Sequence, residues 1–301
     1  MSSPSTRLLK RLLVAGLSVL LLWVAWDTTH QNGPRHQAEW LQADDITLRT
    51  VRAGRGDTTL LLLHGYGESV MAWRATFDLL ATRYRVIAVD LPGLALSDKP
   101  DAPYDLASYQ RRLGDFLRRW TAGPVVAVGH SMGGELAAAL ALDHPDRVVA
   151  AVLIAPAGFG LSPIVSDAKD LHSDLSGWVA TILSSALPPQ DPAWLGESPD
   201  RAAYVPASDP DYRASAQRIL ADFNFEALRD SFALIRQPVL LIWGRQDPTI
   251  PFEIGESLAT RLPCRRFVPL DNVLHRPHQT NPDTVLAEID RFLAHPACEP
   301  L

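Results

Sequence analysis

From about residue 40 onward, short apolar runs alternate with amphipathic segments, and the two follow different periods. The segment ITLRTVRAG alternates polar and apolar residues and predicts an early antiparallel strand or hairpin arm. After it come TLLLLHG, RVIAVDLPG, VVAVGHS, VVAAVLIAP and PVLLIWGRQD, each a nearly continuous apolar run, and a shorter one, RRFVPL. Runs without polar alternation fit strands covered on both faces, as in a mostly parallel sheet. Between them, apolar residues recur at helical spacing over 72–81, 108–120, 135–143, 252–262 and 282–293. Strand–helix alternation of this kind predicts an α/β architecture.

One interval breaks the rhythm. Residues 158–237 hold no strong strand signal, while Leu171, Leu175, Trp178, Val179, Ile182, Leu183 and Ala186 fall at helical spacing. PPQDPAW and ESPD then supply loop punctuation, and a second helical stretch is expected over 212–235. The expected division is a core of residues 40–157 and 238–295, with 158–237 as a helical cap over one end of the sheet. Whether Trp178 and Trp194 line a pocket or only fill the cap's own core stays open.

The N-terminus differs in kind. After Arg7, Lys10 and Arg11, residues 12–26 carry no charge, and with Leu8 and Leu9 the stretch reaches about the length that crosses a bilayer if the basic side chains snorkel. Trp23 and Trp26 crowd Ala25, the candidate cleavage site, and suit a membrane interface instead. Residues 1–30 are therefore expected to be an uncleaved signal anchor, with a cleaved signal peptide as the alternative. Basic residues precede the span, which places the rest of the chain on the non-cytoplasmic side, periplasmic or extracellular.

A net charge of −6 excludes a nucleic-acid partner that needs a basic face. The pairs Arg111/Arg112 and Arg118/Arg119 are expected on the wet side of a helix. The two cysteines, Cys264 and Cys298, lack metal-ligand spacing. In an exported domain they could pair, at the start of the last strand and after the last helix; two unrelated thiols are the alternative.

The candidate chemistry lies in VGHSMGG. A strand-to-helix corner this sharp tolerates only small neighbours, so Gly129 and Gly133 make steric sense around Ser131. Such a corner exposes the hydroxyl and aims the first helical amides at the same point. Serine needs a base, and the base an orienting carboxylate. Asp247 follows VLLIWG and His275 follows RRFVPL, which gives the order Ser, Asp, His at successive strand ends. His278 competes as base but lies farther from the strand end. Asp271 reads as a turn residue, Asp90 as the holder of the LPG turn, and His130, pointing away from the hydroxyl, as packing or as a support behind the catalytic groups. The backbone amides of Met132 and Tyr66 are the expected oxyanion donors.

LLLLHGYGES, VIAVDLPGLALSD, VGHSMGG, LLIWGRQDPTIP and LHRPHQTNP together resemble the α/β-hydrolase superfamily, over residues 46–293. The resemblance implies an eight-stranded, mostly parallel sheet flanked by helices, with a helical cap after the sixth strand. It also implies Ser131 as nucleophile, Asp247 as acid and His275 as base, with Tyr66 and Met132 donating from the backbone. Two positions depart from the family pattern: Leu94 and Ala95 replace a histidine–glycine pair, and Leu274 replaces a glycine before the histidine. A serine nucleophile disfavours the epoxide- and halide-processing relatives. The expected reaction is hydrolysis of a carboxylic ester, acyl, aromatic or lipid, through an acyl-enzyme, requiring no cofactor and no metal. Carbon–carbon hydrolases of ring-cleavage products, amidases and acyltransferases share the triad, and a binding module that lost the chemistry is the remaining alternative.

Overall fold

The computed structural model describes residues 36–160, 194 and 209–296. Eight strands form one sheet: β1 (Gln37–Ala43), β2 (Ile46–Ala53), β3 (Thr59–Leu63), β4 (Arg85–Val89), β5 (Val125–His130), β6 (Val148–Ile154), β7 (Val239–Gly244) and β8 (Arg265–Leu270). Their spatial order is β1-β2-β4-β3-β5-β6-β7-β8. β1 and β2 pair antiparallel with each other, and β2 pairs antiparallel with β4; the remaining pairs are parallel. The apolar runs are explained by burial on both faces. In β3, Leu61 and Leu63 enter one core layer while Leu60 and Leu62 enter the other. β7 repeats the split, with Leu241 and Trp243 on one side and Leu240 and Ile242 on the other.

The flanking helices are α1 (Arg74–Ala81), α2 (Leu106–Trp120), α3 (Met132–Asp143), α4 (Pro210–Asp222), α5 (Phe252–Arg261), α6 (Pro277–Thr280) and α7 (Pro282–Ala294). Side-chain caps fix two of their starts. Asp105 accepts from the Ser108 amide ahead of α2, and Asp209 accepts from the Asp211 amide ahead of α4. α3 is buried from Met132 to Ala141, so its small apolar residues serve a helix enclosed on every side.

Two expectations are corrected. Arg112 is not on the wet side of α2: its side chain is 1% exposed and forks onto both carboxylate oxygens of Asp45 at 2.8 and 2.9 Å. The helix lies against the β1–β2 hairpin, and that fork lets the guanidinium be covered. Arg111, Arg118 and Arg119 remain exposed. The helix expected over 212–235 ends at Asp222: Phe223 turns extended, and the Asn224 side chain accepts from the Glu226 amide. That local bond offers the backbone a turn in place of a helical bond.

Among the described residues no helix is long and apolar enough to cross a membrane, and residues 1–30 lie outside them. Most of 158–237, Trp178 included, also lies outside. Trp194 donates to Asp78 at 3.0 Å and packs its ring near His36 and Phe77. Cys264 is disulfide-bonded; Cys298 is beyond the described residues.

Candidate active site

Five parallel strands end along one edge, in register: Leu63 pairs with Gly129, His130 and Ile154 pair with each other, Ile154 pairs with Ile242, and Gly244 pairs with Leu270. Every sequence-predicted site residue lies just past one of these ends.

Ser131 joins β5 to α3 with φ 52° and ψ −120°, a strained conformation for a residue with a side chain. The glycines around it are required by close approach. A Cβ on Gly129 would stand 2.0 Å from the Gly133 carbonyl oxygen, and one on Gly133 would stand 2.2 Å from the Leu63 carbonyl oxygen. The Ser131 amide donates to Ile154, and its carbonyl accepts from Gly134 and Ala157. The Ile154 bond holds the strained corner to β6, and the Ala157 bond holds it to the loop that follows. The Met132 amide, the first of α3, is one of those a helix leaves without an internal acceptor.

Asp247 and His275 are joined directly: His275 Nδ1 donates to Asp247 Oδ2 at 2.7 Å. The other carboxylate oxygen accepts from the amides of Thr249 and Ile250 at 2.8 and 3.0 Å, so the acid is aimed by its own loop. Burial pushes the His275 imidazole below its ordinary value, nearby His130 adds to that, and the bond to Asp247 opposes both. A neutral ring with Nδ1–H on the carboxylate presents Nε2 as a proton acceptor.

The competing residues are engaged elsewhere. His278 is fully buried between His130 and Trp73, with ring centroids 4.4 and 4.6 Å away. Asp271 is an exposed turn residue paired with Arg245. Asp90 accepts from the Val70 and Leu96 amides and pairs with buried Arg49, which holds the turn after β4. Leu274, which stands where the family pattern has glycine, is 57% exposed.

Tyr66 sits in the loop after β3, which is fastened from three sides. His64 Nε2 accepts from the Leu91 amide, and its Nδ1 donates to the Gly65 carbonyl. From α4, the Tyr212 hydroxyl donates to Gly67, while the Tyr66 hydroxyl donates to Ala216. Inside the loop, Glu68 Oε2 accepts from the Gly65 amide at 2.8 Å, and the Glu68 amide donates back to the Gly65 carbonyl.

Glu68 was not singled out by the sequence pattern. Its signal is a lone acid in the glycine-rich turn HGYGES, between apolar runs. Its carboxylate also meets His130 Nδ1 at 3.1 Å, and Arg276 Nε stands 2.9 Å from the second oxygen as an ion pair. Burial alone would raise this carboxyl, but His130, Arg276 and His278 together hold it well below the usual carboxylate range. Glu68, His130 and His278 place potential ligand atoms within 4.8 Å of one another. One oxygen of the carboxylate takes the Gly65 amide and His130, and the other takes only the ion pair with Arg276, which already supplies a positive charge at the place a cation would occupy.

Residues 58–282 match the family model described as the alpha/beta hydrolase fold. A pimeloyl-[acyl-carrier protein] methyl ester esterase of Vibrio campbellii is 27% identical over 247 residues, covering 78% of this chain and 94% of that protein. The dihydrolipoyllysine-residue acetyltransferase component of an acetoin-cleaving system from Cupriavidus necator is 38% identical over 122 residues. That match covers 40% of this chain and 33% of the component's own length. Among solved structures, a bacterial membrane phospholipase A superposes with TM-score 0.67 at 24% identity, covering 97% of this chain and 99% of that one.

Proposed function

The chain belongs to the α/β-hydrolase family, and within it we propose a serine hydrolase that cleaves a carboxylic ester through an acyl-enzyme. The observation that carries this reading is the 2.7 Å Asp247–His275 pair at the same sheet edge as the strained Ser131 corner. Ser131 Oγ attacks the ester carbonyl while His275 Nε2 takes its proton. The resulting oxyanion is held by the amides of Tyr66 and Met132. Collapse breaks the acyl–oxygen bond, and His275 returns the proton to the departing alcohol. Water then gives a proton to His275 and attacks the acyl carbon, which releases the acid and restores Ser131.

The esterase and phospholipase relatives support an acyl or lipid ester as substrate. The uncharged residues 12–26 support attachment to a membrane, with the hydrolase domain on the non-cytoplasmic side and secretion as the alternative. Residues 158–237 are read as the cap that shapes the acyl site. The acetyltransferase match favours a second reading, acyl transfer, in which an alcohol or thiol replaces water in the second half-reaction.

The test is hydrolysis of a chain-length series of p-nitrophenyl esters by the full chain, beside Ser131→Ala, with fluorophosphonate labelling of both. Serine-dependent turnover and a single adduct absent from Ser131→Ala support the proposal. Labelling that survives the substitution refutes it. A serine-dependent burst without steady turnover, relieved by added thiol or alcohol, moves the reading to acyl transfer.

A further inference from the structure

Three loops must hold their places for the proposed chemistry: the Tyr66 loop after β3, the Ser131 corner after β5 and the His275 loop after β8. They come from separated stretches of chain, and a single buried group reaches all three. The Glu68 carboxylate accepts from the Gly65 amide at 2.8 Å within the first loop. It meets His130 Nδ1 at 3.1 Å, on the residue before the nucleophile. It pairs with Arg276 Nε at 2.9 Å, on the residue after the base. The far nitrogen of His130, Nε2, lies 2.9 Å from the backbone carbonyl oxygen of His275 itself. The side chains of Glu68 and His130 are each 1% exposed.

We propose that Glu68 and His130 are positioning residues: a buried bridge that sets the spacing between the oxyanion amide, the nucleophile and the general base. This inference rests on the assignment of Ser131, His275 and the Tyr66 amide to those roles.

The protonation of the bridge follows from donor and acceptor chemistry. A carboxylate and a carbonyl only accept, so His130 makes both bonds only when both of its nitrogens carry hydrogen. An imidazolium facing an ionised Glu68 meets this requirement, and the negative carboxylate supplies the balancing charge in a buried place. The titratable groups around the His130 ring are Glu68, His64, His275 and His278, with Arg276 beyond the carboxylate. Burial first, and the His130 charge second, push His278 well below its ordinary value, so it stands as a neutral ring against the imidazolium. The bridge ends on the backbone of His275 rather than on its ring, which leaves the ring's Nδ1 to Asp247. Position is thereby separated from proton transfer.

The experiment uses the full chain and Glu68→Gln, which keeps the side chain's size and its acceptor for the Gly65 amide but removes the charge opposite His130. Fluorophosphonate titration counts competent serines, and kcat is expressed per titrated site. The expected result is an unchanged titre and KM within about twofold, with kcat per site lower by about 10- to 100-fold, the cost of an ångström-scale misplacement. Proton–nitrogen spectra of the histidine rings add a signature that a merely structural role would not move. Wild type should show both ring N–H groups on His130, and Glu68→Gln should lose one. Unchanged kcat per titrated site overturns the proposal, as does a KM increase with kcat intact. If Glu68→Gln does not fold, the wild-type spectrum decides: a single His130 ring N–H overturns the bridge. Failure of wild type to label or turn over would instead strike the serine-hydrolase reading, and the spectrum would still test the bridge.

Discussion

Asp247 and Glu68 are both buried carboxylates beside a histidine, at 2.7 and 3.1 Å, and both take a backbone amide on an oxygen. What differs is the far side of each imidazole. His130 Nε2 ends on the carbonyl of His275. His275 bonds only through Nδ1 among the described residues, and 13% of its side chain stays exposed. The first pair is closed at both ends and cannot give up a proton without breaking a bond. The second is closed at one end and open at the other. Two chemically similar pairs at one sheet edge thus differ in one termination, and that termination separates a brace from a base.

The largest break in this comparison should come from Asp247→Asn. The substitution keeps size but lets the imidazole settle in the wrong tautomer, and kcat should fall by about 10⁴-fold. Thermal stability should change little, because the Thr249 and Ile250 amides retain an acceptor. A rate loss under tenfold would remove Asp247 from its role. Glu68→Ala should show the reverse balance. It strips the Gly65 amide, His130 and Arg276 of one shared partner, so stability should drop by about 3–5 kcal/mol in denaturant unfolding near pH 7. Because the native Glu68 carboxyl is depressed, its stabilisation is complete above the unfolded value near about 4.3. It is lost as pH falls through the lower native value, so wild type and Glu68→Ala should converge in acid. Curves that stay parallel down to strong acid would contradict the charged bridge.

A smaller effect is expected in the pH profile. His275 acts as base only when neutral, and burial has pushed it down, so kcat/KM should fall on the acid side only below about pH 6.5. The Asp247 bond works against that depression, so the residual activity of Asp247→Asn should have its acid limb displaced to still lower pH. A limb above the ordinary imidazole value would show that the ring is paired more strongly than it is buried.

The open pair was legible in the sequence; of the closed pair only His130 stood out, as a residue behind the hydroxyl, and Glu68 did not, for a physical reason. Ser131, Asp247 and His275 each follow an apolar strand run, so strand periodicity alone delivers them to one edge. Glu68 lies in a turn, where no period constrains its direction, and its partners are 62 and 208 positions away. Arg112 misled for a related reason: helical spacing shows which residues share a face, but not that the β1–β2 hairpin covers that face. The helix expected over 212–235 stopped early because the Asn224 side chain supplied a turn bond that apolar spacing cannot register.

The smallest expected effect concerns Leu274, where the resemblance called for glycine. Glycine would be needed if the backbone there had positive φ or if a neighbour excluded a side chain. Neither applies: Leu274 is absent from the positive-φ positions among the described residues, and its side chain is 57% exposed. The His275 loop is held instead through its backbone and its neighbours, with Gln246 donating to the Val273 carbonyl and His130 bonded to the His275 carbonyl. Leu274→Gly should therefore leave kcat and the acid limb of the pH profile unchanged within about twofold. It should cost about 0.4–1 kcal/mol of stability, through the greater freedom glycine gives the unfolded chain. A gain in stability, or a displaced acid limb, would show that the leucine strains the base, and the open pair would then be less well positioned than the closed one.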